Sequence, residues 1–248
     1  PALVIADLAT AGWVHSAFEW AGMSLGAWMW RRQLPRSAGP MAHGNFAVLV
    51  GLLLGAGLGN KLVFLIERPD VLMAMLQGQP LWPGQSIVGG LLGGLIGVEM
   101  AKKLSQQTRS TGDAMVWPLV LGISIGRVGC FIAGLHDDTY GVATTLPWGV
   151  DFGDGIPRHP TQLYEIGVLM LLGTALHHLR ARLATTPGLA FKLFLSSYLG
   201  WRFVVEFLKP VPVAYPLGLS GIQWTCLFAL LLYLPFVWRD ARPTLVQA

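Results

Sequence analysis

GNFAVLVGLLLGAGLGNKLVFLI, residues 44–66, carries one charged side chain, Lys61, in a run of the length a helix needs to cross a bilayer. The hydrocarbon core is about 30 Å thick, and a helix spans it with about 20 mainly apolar residues. Measured outward from this stretch with the same ruler, six more appear at about 12–30, 84–101, 114–134, 161–179, 190–208 and 219–238. Apolar residues make up 53% of the 248 and charged residues 12%, where a soluble domain carries about 25% charged. They gather into blocks instead of recurring at the periods of a soluble core. The spacing predicts an all-α integral membrane protein of about seven transmembrane helices. It is expected to form a single transmembrane domain over residues 1–248 with an outer loop at about 135–160.

Charge distribution sets the orientation. Arg31, Arg32, Arg36, Lys102, Lys103, Arg109, Arg180, Arg182, Lys192, Arg239 and Arg242 fall on one set of connections, whereas the opposite set holds Arg68, Arg158 and Lys209. By the positive-inside rule the N-terminus is expected outside and the C-terminus in the cytoplasm, in a multi-pass membrane protein. The first residues lack the basic start and cleavage site of a signal peptide, so the first apolar stretch is expected to stay in place. No basic run exceeds two residues, which argues against nucleic acid as the partner. Cys130 and Cys226 sit in apolar sequence without metal-ligand spacing, so no disulfide framework and no metal site is expected. Gly51, Gly55 and Gly59, and Gly89, Gly93 and Gly97, recur every four residues and predict close helix packing.

Ionisable residues inside spans cost about 2.5–3.5 kcal/mol each on insertion scales, so each points to function or to pairing. Glu19 lies four residues past His15, where the two share a helix face. Lys61 and Glu99 have snorkelling or ion pairing as the structural alternative. Arg127 and Arg202 lie deeper in patterned segments, GRVGCF at 126–131 and WRFVVEF at 201–207. A guanidinium offers a rigid fork of donors matched to phosphate oxygens and stays charged when desolvated. Gly126 and Gly129 leave backbone room around Arg127. Arg202 and Glu206 stand four apart on one face, so an ion pair serving structure alone is the other reading there.

Together with RHPTQLYE at 158–165 and SIVGG at 86–90, these segments resemble the signature series of the prolipoprotein diacylglyceryl transferase family, in order and spacing, over about residues 13–240. The resemblance implies a seven-helix inner-membrane enzyme that moves diacylglyceryl from phosphatidylglycerol to the thiol of a lipobox cysteine and releases glycerol phosphate. It implies no cofactor. The partners expected from it are an anionic, phosphatidylglycerol-like phospholipid and a lipoprotein precursor or other membrane acceptor. Carried over by position, Arg127 and Arg202 match essential arginines and Glu206 their partner acid. Gly126, Gly129, Arg158, His159, Gln162, Tyr164 and Glu165 match substrate-binding segments.

The chain departs from the family pattern where that pattern has a histidine, two asparagines, a glutamate and a first-helix tyrosine; here stand Val88, Cys130, Ala133, Leu135 and Ala21. The part that grips phosphate is kept and the part expected to activate the thiol is changed. His136, Asp137 and Asp138 follow directly, and His136 is the expected substitute base, since an imidazole titrates closest to neutral pH. The alternative is a non-catalytic phospholipid-binding or structural subunit derived from the family. A transporter is disfavoured because inverted repeats and broken helix pairs are missing from the sequence.

Overall fold

A computed structural model describes residues 7–33, 43–79 and 84–246. Its helices are α1 (Leu8–Gln33), α2 (His43–Glu67), α3 (Pro69–Leu76), α4 (Ile87–Leu104), α5 (Val116–Ala133), α6 (Thr161–His178), α7 (Arg180–Leu183), α8 (Leu189–Val205) and α9 (Gly221–Val246). A short antiparallel hairpin, β1 (Val150–Asp151) with β2 (Pro157–Arg158), lies between α5 and α6. The protein is therefore helical, with a helix at each of the seven apolar stretches. Three, over Asn45–Glu67, Asp113–Asp137 and Gly221–Arg242, are long and apolar enough to cross a membrane. Helices α3 and α7 are short pieces that a membrane ruler passes over. Arg36, counted above for orientation, lies outside the described residues.

The chain divides into two compact units. One comprises residues 34–110 and 211–239. In it α2 and α4 run antiparallel with backbones in contact: a Cβ on Gly55 would collide with the carbonyl oxygen of Gly93, and one on Gly93 with that of Gly55. Gly51 meets Gly97, and Gly59 meets Gly89, in the same way. This is the close packing that the four-residue glycine spacing predicts. Leu54, Leu58 and Leu62, on another face of α2, stay exposed as lipid-facing leucines do. At the start of α9 a capping box forms, with Ser220 N donating to Gln223 Oε1 at 2.9 Å and Gln223 N to Ser220 Oγ at 3.1 Å. Glu67, at the end of α2, accepts from Ile222 N at 2.8 Å. Gly55→Leu is expected to lower stability by at least about 1–3 kcal/mol, the ordinary overpacking range, since backbone and not a flexible side chain must yield. A thermal melt in detergent that matches the parent protein would refute the close approach.

The other unit comprises residues 1–33, 111–210 and 240–248. Here α1 lies on α5 where Gly22 meets Gly122; a Cβ on Gly22 would stand 2.5 Å from Gly122 O. Helix α6 approaches α5 at Gly173, where an added Cβ would lie 3.1 Å from Val120. Asp113, just before α5, satisfies the free amides at the start of α8, accepting from Gly188 N at 2.6 Å and Phe191 N at 2.9 Å. These contacts fix α1, α5, α6 and α8 against one another and set the polar side chains below.

Candidate functional site

Arg127 falls on the buried stripe of α5 with Val116, Val120, Ser124 and Cys130. On α6 the buried face carries Gln162, Glu165, Leu169 and Gly173, and on α8 it carries Tyr198, Arg202 and Val205. Helical spacing thus turns Arg127, Glu165 and Arg202 into one interior. Glu165 is the centre: its Oε2 accepts from Arg127 Nη2 at 3.0 Å and from Arg202 Nη1 at 3.0 Å, and its Oε1 accepts from Tyr198 OH at 2.6 Å. Arg202 Nη2 also pairs with Glu206, and Lys209 Nζ stands 3.7 Å from Glu206 Oε1. Arg127, Glu165, Arg202 and Glu206 are each no more than 5% exposed.

Two properties of this cluster suit it to an anion. Its three cations, Arg127, Arg202 and Lys209, outnumber its two carboxylates, Glu165 and Glu206. Moreover, Arg127 Nε, Arg202 Nε and Gln162 Oε1 are buried without hydrogen-bond partners among the described residues. Buried polar atoms ordinarily have partners, so unsatisfied guanidinium donors beside an excess of positive charge fit an anionic ligand.

Around this cluster runs a second one. His15 Nδ1 lies 2.7 Å from Asp137 Oδ1, and its Nε2 lies 3.1 Å from Glu19 Oε1. Thr139 Oγ1 donates to the other Asp137 oxygen and receives Gln162 Nε2 at 3.4 Å, while Thr161 Oγ1 donates to Thr139 O at 2.7 Å. Cys130 Sγ belongs to the second cluster, within 4.8 Å of ligand atoms of His15 and Asp137, and Arg127 Nη1 lies 3.7 Å from it, so one arginine touches both clusters.

Several expected site residues take other positions. His136 is exposed, and Asp137 is the residue of that turn that faces inward. Glu165 is buried between the arginines as their common counterion. Gly126 has open space at its Cβ position, whereas Gly129 is filled by α1, its Cβ position lying 2.7 Å from Phe18 Cβ and 3.3 Å from His15 O. Arg158 holds the β1–β2 hairpin together, pairing with Asp154 at 2.6 Å and lying over the Tyr140 ring. The Arg158 hydrogen bond holds the Asp154 carboxyl below its ordinary range. Tyr164 OH receives Trp148 Nε1 at 2.8 Å and lies 3.2 Å from His159 Nδ1, at the outer edge of the same unit. Cys130, apolar by its sequence neighbours, faces polar groups in space.

Tyr198 and Lys209 are cluster members that the sequence reading did not single out. Both carried a signal: Tyr198 precedes Arg202 by one helical turn, and Lys209 follows Glu206 by three residues.

The sequence model of a family described as prolipoprotein diacylglyceryl transferase matches residues 13–239. Among curated relatives, a phosphatidylglycerol–prolipoprotein diacylglyceryl transferase of Geobacter sulfurreducens is 34% identical over 190 residues, covering 72% of this chain and 68% of the relative. A protein of the same name from Polynucleobacter necessarius is 35% identical over 193 residues, 73% of this chain and 70% of its own. A third, from Nitratidesulfovibrio vulgaris, is 31% identical over 228 residues, 84% and 82% respectively. A match over nearly the whole chain, with both deep arginines placed on one buried carboxylate, leaves a single assignment: the chain belongs to the prolipoprotein diacylglyceryl transferase family.

Proposed function

We propose that the protein is a membrane-embedded transferase that moves the diacylglyceryl group of phosphatidylglycerol to a thiol and releases glycerol phosphate. The observation that carries this reading is the buried Arg127–Glu165–Arg202 bridge with one cation in excess and donors left over. A phosphodiester headgroup has one negative charge, which matches the excess. When the thiol gives up its proton to water, its sulfur attacks the glyceryl carbon and the carbon–oxygen bond breaks, the electron pair stays on the phosphate, which gains a second negative charge. Fixed guanidiniums in a dry site stabilise that charge where it develops. The printed names of the relatives specify phosphatidylglycerol and a prolipoprotein, which supports the same donor and a lipobox cysteine as acceptor. The test is glycerol phosphate release by the purified protein with phosphatidylglycerol and a lipobox peptide. Copurifying anionic lipid without turnover on any thiol acceptor would favour the non-catalytic lipid-binding reading instead.

We also infer seven crossings of a bacterial inner membrane with the N-terminus outside, from the apolar stretches and the one-sided basic residues. A thiol introduced at positions 104–108 is then expected to resist an impermeant reagent in intact cells, and labelling there would reverse the topology.

Lys209, just past the α8 stretch, gives the site a pH dependence. Its burial, then the nearby Arg202 charge, push its ammonium down to about 8. Below that pH the third cation is present; as pH rises through it the charge is lost. Retention of anionic lipid is expected to fall severalfold across pH 8, and Lys209→Arg to flatten the profile because guanidinium stays charged. An unchanged profile in that variant would remove Lys209 from the site.

A further inference from the structure

We propose that His15, Cys130 and Asp137 form a binding site for a divalent transition-metal ion of the zinc class, with one coordination position open to an incoming thiol. The three residues come from α1, the last turn of α5 and the turn after it, and one ligand atom of each lies within 4.8 Å of the other two. Nothing in their chain spacing shows this. They meet because α1 packs directly on Gly129, where its backbone comes next to Cys130. An imidazole, a thiolate and a carboxylate form the mixed N, S, O set that suits zinc or cobalt, while magnesium and calcium take oxygen throughout.

The surrounding bonds orient these ligands as metal sites require. Glu19 faces His15 Nε2 at 3.1 Å, so that nitrogen keeps its proton for the carboxylate while Nδ1, which donates to Asp137, is the one to give up its proton and ligate the ion. Thr139 holds the second Asp137 oxygen and leaves Oδ1 for the ion. A carboxylate behind a ligating histidine and a donor behind a ligating carboxylate are the usual outer partners. A proton on Nδ1 bridges the 2.7 Å to Oδ1. A bound ion, held by His15 Nδ1, Asp137 Oδ1 and the Cys130 thiolate, would replace that proton. Cysteine thiolate and aspartate together neutralise the divalent charge. Arg127, 3.7 Å from the sulfur, is balanced by Glu165 and serves as a donor to the bound thiolate.

What the ion does there rests on the transferase reading. A thiol that coordinates such an ion gives up its proton, here to water, and becomes a thiolate without a protein base. Its sulfur attacks the glyceryl carbon, the bond to the phosphate oxygen breaks, and glycerol phosphate leaves as the dianion. The thioether formed is a poor ligand and departs. Val88, where the family pattern has histidine, then needs no substitute base. Arg127 places the activated sulfur beside the guanidiniums that receive the leaving phosphate.

The experiment uses the full chain in detergent, stripped with a chelator and titrated with cobalt(II). One equivalent is expected to bind with a near-ultraviolet sulfur-to-cobalt charge-transfer band. Cys130→Ser should abolish the band, and Asp137→Asn should weaken cobalt binding at least tenfold. Glu19→Gln, a change at a partly exposed position that keeps the fold, should weaken it by about 10–100-fold, the usual effect of an outer partner. No bound cobalt in the parent protein, or a band that survives Cys130→Ser and so belongs to Cys226, would overturn the site. Cobalt binding without transfer in any metal state would leave the site standing and overturn the transferase. Full transfer by stripped protein that binds no cobalt would do the reverse.

Discussion

Glu165→Gln is expected to destabilise the protein by about 3–5 kcal/mol, the largest stability effect of any single change in the site. Both arginine forks meet on one oxygen of this carboxylate, and Tyr198 donates to the other. Glutamine keeps the shape and removes the charge, so two desolvated guanidiniums share one neutral amide oxygen while the NH2 group faces the Tyr198 hydroxyl. The cluster then holds three cations against Glu206 alone. Taking away one partner of a buried ion pair costs far more than the pair contributes, because the remaining charge has no water to turn to. Phosphatidylglycerol should restore more stability to this variant than to the parent, since the phosphate supplies the missing charge and binding stabilises by mass action. Thermal unfolding in neutral detergent, with and without added phosphatidylglycerol, measures both effects. A Glu165→Gln protein as stable as the parent without lipid would show that the arginines are balanced from elsewhere.

How much of this was legible in the sequence follows from which interactions are local. Apolar blocks and glycines every four residues are periodic properties of single helices, so each helix and its close-packing face could be read directly, while the pairing of α2 with α4 came from the structure. Arg127 and Arg202 stood out because a charge within an apolar run is costly wherever the run is packed. Their joint counterion was harder, since Glu165 comes from a third helix and its motif reads equally well as a lipid contact. The His15, Cys130 and Asp137 cluster was hidden, because it depends on how α1 is rotated against α5. At 136–138 the sequence offered three consecutive polar residues, and the turn decides among them. The tight turn at Gly134–Asp137, closed by Asp138 at φ 53°, points Asp137 inward and leaves His136 outside. No periodic rule covers a single turn of that kind.

Arg127→Gln is expected to lower glycerol phosphate release by about 100- to 1,000-fold, the range found when one fixed donor to a developing oxyanion is removed. The loss should appear in turnover more than in the lipid concentration needed for half-maximal rate, since the second phosphate charge exists only as the bond breaks. Arg127→Lys should recover a part: a lysine restores the charge opposite Glu165 but not the planar fork that spans Glu165, Cys130 and a phosphate oxygen together. Arg202→Gln should fall equally far, and the double variant little further, because both guanidiniums share Glu165 and act as one unit. Lys61→Gln is the control. That lysine donates to Gly84 O at 3.0 Å in the other unit, so its loss should leave turnover within about threefold. Rates for Arg127→Gln and Arg202→Gln that multiply independently would separate the two arginines. A rate for Arg127→Gln equal to that of Lys61→Gln would remove Arg127 from the reaction altogether.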